Sequence, residues 1–561
     1  MASEVSLDKF PAPDEIEGFW AFDKMHAPRP ITPLSADLVT RPLAEGFTSA
    51  QAMYDSPLAV SNQHVNYYLY SSFHPLTDED ELAERQLRYL RTLEERVPSV
   101  GPRWETEWQP IIKAKNIAER QTDYDLLGNE ELIDKLAEMK DHMRFLWHVH
   151  GHINFVLVSS AAFCDLYDEI VEPDDPTEAY QCLQGWETRS LASSRGLWRL
   201  SRIVRAQPDL VDFFDNTRPE QLVEALEASA SGRSFLSELH AYLDEFGWRS
   251  DAVYDLGDVT WREDPSIPLG ALGSYVRMAD DADPGLLFER ALATRERLLA
   301  AARSRIEDPE LLARFDRRYE AARFSNPLTE DHAFWIDQMG IAVFRRFVLH
   351  LGARLVAMGA LNDASDVNFL TEAELIEALA DATNHAEVAD RRRAEHAAWA
   401  TITPPATLGT PLPPAEDPFR DALSVRLLGV TPPDDSPADP DVIKGVAGSA
   451  GQVTGTVRVV RSLAEASLLE DGDIMVCEMT LPPWVPLFSI VGGVVADTGG
   501  VLSHCAIVAR EFELPAVVGT RTGTTDLVSG MVVAVDGTRG TVTILDRPAS
   551  SHDHPVQSSH Q

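Results

Sequence analysis

Ser503 and His504 follow a Thr498-Gly499-Gly500 turn in the segment DTGGVLSHCAIVAREFELPAVVGT, residues 497–520. A strand ending at Ala496–Asp497, a Gly-rich turn and a helix N-capped by Ser503 would set His504 at the first helical position. A helix N-terminus offers unpaired N–H groups and a partial positive charge, which suits a phosphoryl group carried on imidazole. Thr498, Gly499, Gly500 and Ser503 support the site in this reading, the glycines letting backbone approach an anion closely. Imidazole, with a reference pKa of about 6.5, is largely neutral and nucleophilic near pH 7. His504 is the sole histidine between Val446 and Pro548. From the residues alone, a buried structural histidine in a βα turn fits equally well.

The elements around this turn are short runs rich in Val, Ile and Thr: GQVTGTVRVV, GDIMVCEM, GGVVADT, PAVVGT, MVVAVDG and GTVTIL. They read as strands, with helices at Ser462–Leu469, around Trp484–Ile490 and at Ser503–Glu511. Residues 446–548 therefore form a compact α/β domain. Residues 1–400 read as mainly helical, with apolar steps of three and four over Glu79–Glu95, Asn129–His152, Pro219–Phe246, Gly285–Arg303, Asp331–Met358 and Thr371–Leu379. Thr371 with Glu374 makes a capping box, and Gly359 sits where a helix stops. Ten of the 36 prolines lie between Thr401 and Pro440, so residues 401–445 read as a stiff linker with a short helix over Asp417–Leu428. Residues 549–561 read as a disordered tail. The fold class is multidomain α plus α/β.

Lys and Arg total 49 against 89 Asp and Glu, a net charge of −40, which argues against binding nucleic acid or an anionic membrane. No apolar run reaches the ~18–20 residues of a membrane span. The N-terminus lacks the pattern of a signal peptide. The four cysteines form no CxxC pair, so reduced thiols and a cytoplasmic location are expected.

TGGVLSHCAIVARE followed by LPAVVGT closely resembles the phosphohistidine signature of the mobile, or swivelling, domain of phosphoenolpyruvate-utilising enzymes. The resemblance extends through about 100 residues. It implies that His504 accepts a phosphoryl group and that the domain swings to deliver it. Upstream, FGWRSDAVYDLGDVTWREDP (Phe246–Pro265), LVAMGALNDASDVNFLTEAEL (Leu355–Leu375) and LQGWETRSLASSRGLWRLSR (Leu183–Arg202) resemble the helical domain of rifampin-phosphotransferase-type enzymes. No P-loop occurs and no ATP-grasp or pyruvate-binding barrel counterpart is recognisable, which resembles the larger subunit of phenylphosphate synthase and related cresol-phosphorylating enzymes. The resemblance implies a separate ATP-grasp subunit as partner, Mg²⁺ bound there with ATP, and a phenolic or alcoholic acceptor.

A phenol, with a pKa of about 10 as for Tyr, needs a general base within hydrogen-bond reach. In FLWHVHGHINF, His148 and His152 lie one helical turn apart on one face, with His150 projecting away from them. Core histidines, a solvent-facing pair or a metal pair fit that spacing as well, so the metal assignment stays unknown. His64, in HVNYYLYSSFH, and Trp20, with His26 and Arg29 in FWAFDKMHAPRPITPL, could line or close an acceptor pocket. Arg189 and Arg249 could neutralise an incoming phosphoryl group or form ion pairs. The expected reaction is a two-step transfer through phosphorylated His504. The alternatives are a phosphohistidine carrier serving a protein partner, and a ligase that phosphorylates a small molecule before condensation.

Overall fold

Apolar residues recurring in steps of four and three carry the helical part: Leu132, Leu136, Met139, Met143 and Leu146 form one stripe of the helix Asn129–Asn154. That stripe packs in the largest core with Phe344, Phe347, Val348 and Leu351 of the helix Met339–Ala357. A second core unites the helices Arg189–Arg205, Pro208–Asn216, Pro219–Glu227, Ala230–Phe246 and Ser266–Arg277. The computed structural model describes residues 10–12, 15–24, 26–75, 79–250, 253–410, 422–430 and 439–547. The expected tail and residues 411–421 and 431–438 of the Pro-rich linker, which include residues 417–421 of its expected helix, lie outside these.

Two of the expected long helices are broken. Pro219–Phe246 divides at Ser229, whose hydroxyl accepts from the Gly232 N–H and starts a new helix. The run Asp331–Met358 contains a π-helical stretch, Ala333–Gln338, between the helices Ser325–His332 and Met339–Ala357.

The helical part also holds a sheet that helical periodicity does not reveal. Its strands are β1 (Phe19–Phe22), β2 (Leu58–Val65), β3 (Tyr68–Pro75) and β4 (Thr407–Gly409), in the order β2-β3-β1-β4. Asn66 and Tyr67, at φ +53° and +70°, make the two-residue hairpin turn between β2 and β3. Strand β4 comes from the Pro-rich stretch, so that stretch also builds the helical part.

The C-terminal α/β domain has eight strands: β5 (Val442–Lys444), β6 (Val446–Ser449), β7 (Gln452–Val459), β8 (Ile474–Cys477), β9 (Gly493–Ala496), β10 (Ala516–Val518), β11 (Val532–Asp536) and β12 (Thr541–Asp546). Their order is β5-β12-β11-β7-β8-β9-β10-β6, with β7, β8, β9 and β10 parallel and the rest antiparallel. Strand β5 precedes residue 446, so the sheet starts earlier than expected. The helix His504–Glu511 packs on one face, where Ala506, Val508 and Ala509 join the core of Met475, Val494 and Phe488.

That core also receives Ile267, Met278 and Leu287 from the helical part. Tyr275 and Ser489 hydroxyls meet at 2.9 Å, and Arg290 pairs with Glu513 at 3.1 Å. The two parts are therefore docked, with the start of the His504 helix facing the helical body. Among the described residues, no helix is long and apolar enough to cross a membrane.

Candidate functional site

Strand β9 ends at Ala496, and the turn after it places Ser503 as N-cap of the helix His504–Glu511. The Ser503 hydroxyl accepts from the Ala506 N–H at 3.4 Å. His504 is thus the first helical residue, held by the cap in front and by the packed helix behind. Its Nδ1 lies 3.2 Å from the Thr480 hydroxyl. Its Nε2 is buried without a hydrogen-bond partner, 3.6 Å from Oε1 of Glu330 in the helical part. Burial pushes the ring down to about 3, with Thr480 opposing, so the imidazole is neutral near pH 7.

The glycines serve differently from expectation. Gly499, at φ +97°, adopts a conformation that favours glycine. The N–H groups of Gly499, Gly500 and Leu502 donate to the carbonyls of Leu428, Leu427 and Arg426, at 3.2, 2.7 and 2.7 Å. A Cβ on Gly500 would lie 2.5 Å from the Val425 carbonyl. These N–H groups are therefore spent on a linker strap, residues 422–430, while Gly499 still lines the cavity described next. Arg426 anchors the strap to the helical body through Asp165 and the Tyr180 hydroxyl. Thr498 donates its hydroxyl to the Glu478 carbonyl at 3.0 Å and faces the cavity described next.

His504 opens onto a cavity of about 140 Å³ between the two parts. Thr480, Leu481, Thr498 and Ser503 wall it on the α/β side, and Ile153, Leu157, Val253 and Ala333 on the helical side. His26, His150, His332 and Asp337 complete it. The π-helical stretch explains the last pair. It brings residues five apart toward one face, setting His332 Nε2 3.9 Å from Asp337 Oδ2. His150 Nδ1 donates to Asp337 Oδ1 at 2.9 Å, and the His150 and His332 rings meet edge to face at 4.5 Å. His26 Nδ1 lies 2.9 Å from Asp23 Oδ1, with its ring stacked on Tyr254. Burial lowers the His26 ring, but Asp23 more than offsets this and raises it overall.

Behind His504 the wall carries charge without solvent. Glu330 is fully buried; its Oε2 accepts from the Ser190 hydroxyl and its Oε1 has no partner. Burial pushes its carboxyl up to about 7, against the lowering effects of Ser190 and Arg249.

Ligand atoms of His150, His332 and Asp337 lie within 4.8 Å of one another, close enough to share a cation. Two imidazoles do not suit Mg²⁺, which prefers oxygen ligands. The hydrogen bond from His150 to Asp337 already joins two of the three groups, which favours a proton relay.

The structure brings none of the other expected acceptor residues to this cavity. His148 and His152 pair with each other at 3.2 Å, and His152 Nδ1 meets the Tyr54 hydroxyl while its ring stacks on Trp108. His150, expected to point away from that pair, does so and thereby reaches the cavity. His64 bonds Thr40 beside a separate surface hollow. The Trp20 indole donates to the Glu17 carbonyl. Arg249 is buried over Phe246, Trp261 and Phe334, and Arg189 pairs with Glu245. Sequence reasoning passed over His332, Asp337 and Glu330. Their signal was four ionisable residues, Glu330, Asp331, His332 and Asp337, in SNPLTEDHAFWIDQMG, a segment whose neighbours are buried and apolar.

Residues 148–328 match the fourth domain of rifampicin phosphotransferase, and residues 469–540 match the mobile domain of PEP-utilising enzymes. The chain is 32% identical over 555 residues to chondramide synthase cmdD of Chondromyces crocatus, covering 95% of this chain and 14% of that protein. It is 36% identical over 382 residues to the uncharacterized phosphotransferase YvkC of Bacillus subtilis, covering 68% of this chain and 45% of that one. A Streptomyces rifampicin phosphotransferase is 32% identical over 349 residues, 61% of this chain and 38% of that protein. The chain thus spans less than half the length of each of these relatives. The two matched domains, with His504 at the head of its helix, place the chain in the phosphoenolpyruvate-utilising family related to rifampicin phosphotransferase.

Proposed function

We propose that this chain is the acceptor-side part of a dikinase-type phosphotransferase. His504 takes a phosphoryl group derived from ATP on a separate ATP-grasp subunit, where Mg²⁺ accompanies the nucleotide. The mobile domain then docks as seen here, and an aryl hydroxyl attacks the phosphohistidine. Overall, ATP, a phenolic acceptor and water give an aryl phosphate, AMP and phosphate. Two in-line displacements through a covalent intermediate divide a difficult transfer into easier steps.

The observation that carries this reading is that His504 opens onto a largely apolar cavity with histidines on its far wall. Its volume, about 140 Å³, is comparable with the ~150 Å³ cavities that admit benzene. One aromatic ring with a hydroxyl fits it.

Intact mass of wild type and His504→Ala, after incubation with phenyl phosphate and larger aryl phosphates, tests the reading without a partner. Transfer of one phosphoryl group to wild type alone, favouring one-ring donors, is expected. No transfer from any aryl phosphate, in a protein that a phosphoramidate salt still labels on His504, would overturn the aryl acceptor.

A further inference from the structure

The transfer reading leaves open where the hydroxyl proton goes. Among the described residues, the side chains of the helical part that line the cavity and could accept it are His26, His150, His332 and Asp337. Their hydrogen bonds distinguish them. His332 Nδ1 lies 2.5 Å from the Leu328 carbonyl, which can only accept, so Nδ1 carries the hydrogen and Nε2 holds the lone pair. Asp337 is ionised: burial would raise its carboxyl, but the His150 ring hydrogen-bonded to it outweighs this and holds it below the ordinary value. An ionised carboxylate can only accept, so His150 Nδ1 also carries its hydrogen. Asp337 then has one oxygen on His150 and the other 3.9 Å from the lone pair of His332. His26 has its own carboxylate, Asp23, and Glu330 faces His504.

We propose that His332 is the general base of acceptor phosphorylation, with Asp337 and His150 as its positioning residues; this rests on the transfer reading above. The acceptor oxygen forms its bond to phosphorus as the bond from phosphorus to the His504 nitrogen breaks. That bond's electron pair stays on the His504 ring. The hydroxyl proton passes to His332 Nε2, and the imidazolium so formed is met by Asp337 Oδ2. Burial, then His150, holds the His332 ring down to about 4, so it waits in the accepting form. The phosphoryl charge arriving beside it raises its proton affinity during the transfer.

The reverse reaction tests this through the leaving group. Phosphoryl transfer to His504 from phenyl phosphate needs an acid to protonate a poor leaving group, whereas 4-nitrophenyl phosphate needs little help. His332→Asn should slow transfer from phenyl phosphate by ~10²–10⁴-fold, the usual span of acid–base catalysis, and leave 4-nitrophenyl phosphate nearly unchanged. Asp337→Asn should show the same selectivity with a smaller loss. Equal losses on both donors in both variants would make the cluster structural and overturn the proposal. A wild-type rate abolished by chelation and restored by zinc would overturn it in favour of a metal. If wild type accepts phosphoryl from neither donor, the transfer reading itself fails and the proposal fails with it.

Discussion

Replacing Glu330 with Gln should change how tightly the mobile domain docks, and in a pH-dependent way. The carboxyl is fully buried with one oxygen unpartnered, and its pKa is pushed from 4.5 up to about 7 by burial first. In the docked state it therefore binds a proton more tightly than when it is exposed. Between pH 4.5 and 7 docking takes up a proton, so docking weakens as pH rises through this window and levels off above it. A shift of 2.5 units at about 1.4 kcal/mol per unit sets a ceiling of about 3.5 kcal/mol, roughly three-hundredfold in the docking equilibrium. The part of Glu330 burial that the helical body itself supplies reduces this. Glu511, across the interface, is raised in the same direction by burial and then by Glu330, and adds to the slope. The assay is energy transfer between dyes on cysteines placed at exposed Leu126 and Val528, the four native cysteines being buried. Wild type should lose docked population from pH 5 to pH 8, Glu330→Gln should lose most of that slope, and the double variant with Glu511→Gln should reverse it below pH 6.5, where docking expels a proton from the His504 ring that burial holds down to about 3. A wild-type population flat with pH, or a Glu330→Gln slope equal to wild type, would refute the reasoning.

Gly500→Ala should push the strap off the turn, since its Cβ would lie 2.5 Å from the Val425 carbonyl. The cost is about 1–3 kcal/mol, measured as a loss of docked population by the same dyes. Cys505→Ser should load phosphoryl on His504 like wild type, because burial pushes the Cys505 thiol up to about 12 and leaves it no thiolate to react; iodoacetamide labelling at pH 8 should be correspondingly slow. His152→Ala should lower urea stability by about 1–3 kcal/mol through the lost Tyr54 hydrogen bond, with transfer from phenyl phosphate unchanged. Burial holds the His152 ring down to about 3, against 6.5 when unfolded, so the wild type loses stability as pH falls below 6.5 and the variant should lose less.

How far the sequence could be read depended on how local each signal was. Ser503, His504 and the strand–turn–helix around them were legible because cap, turn and helix lie within a dozen residues. The β2–β3 hairpin escaped because its left-handed turn is Asn66-Tyr67, with a bulky residue where Gly usually marks such a turn. On the helix Asn129–Asn154, spacing alone groups His148 with His152 and sets His150 apart. Which face meets the mobile domain is decided by packing far away in sequence. His332 and Asp337 were hidden by the π-helical stretch, since helical periodicity sets residues five apart on different faces. The cavity draws on residues 26, 150, 332, 337 and 504, and no local pattern links those.

The central claim is that phosphoryl leaves His504 inside the interdomain cavity. Ala333 lines that cavity on the helical side, away from the turn that carries His504. Wild type and Ala333→Phe can both be loaded on His504 with a phosphoramidate salt, freed of reagent and chased with phenol, with phosphorus NMR reading the products. The expected result is release of phenyl phosphate by wild type and retention of phosphohistidine by Ala333→Phe. Release at the wild-type rate from Ala333→Phe would contradict the claim.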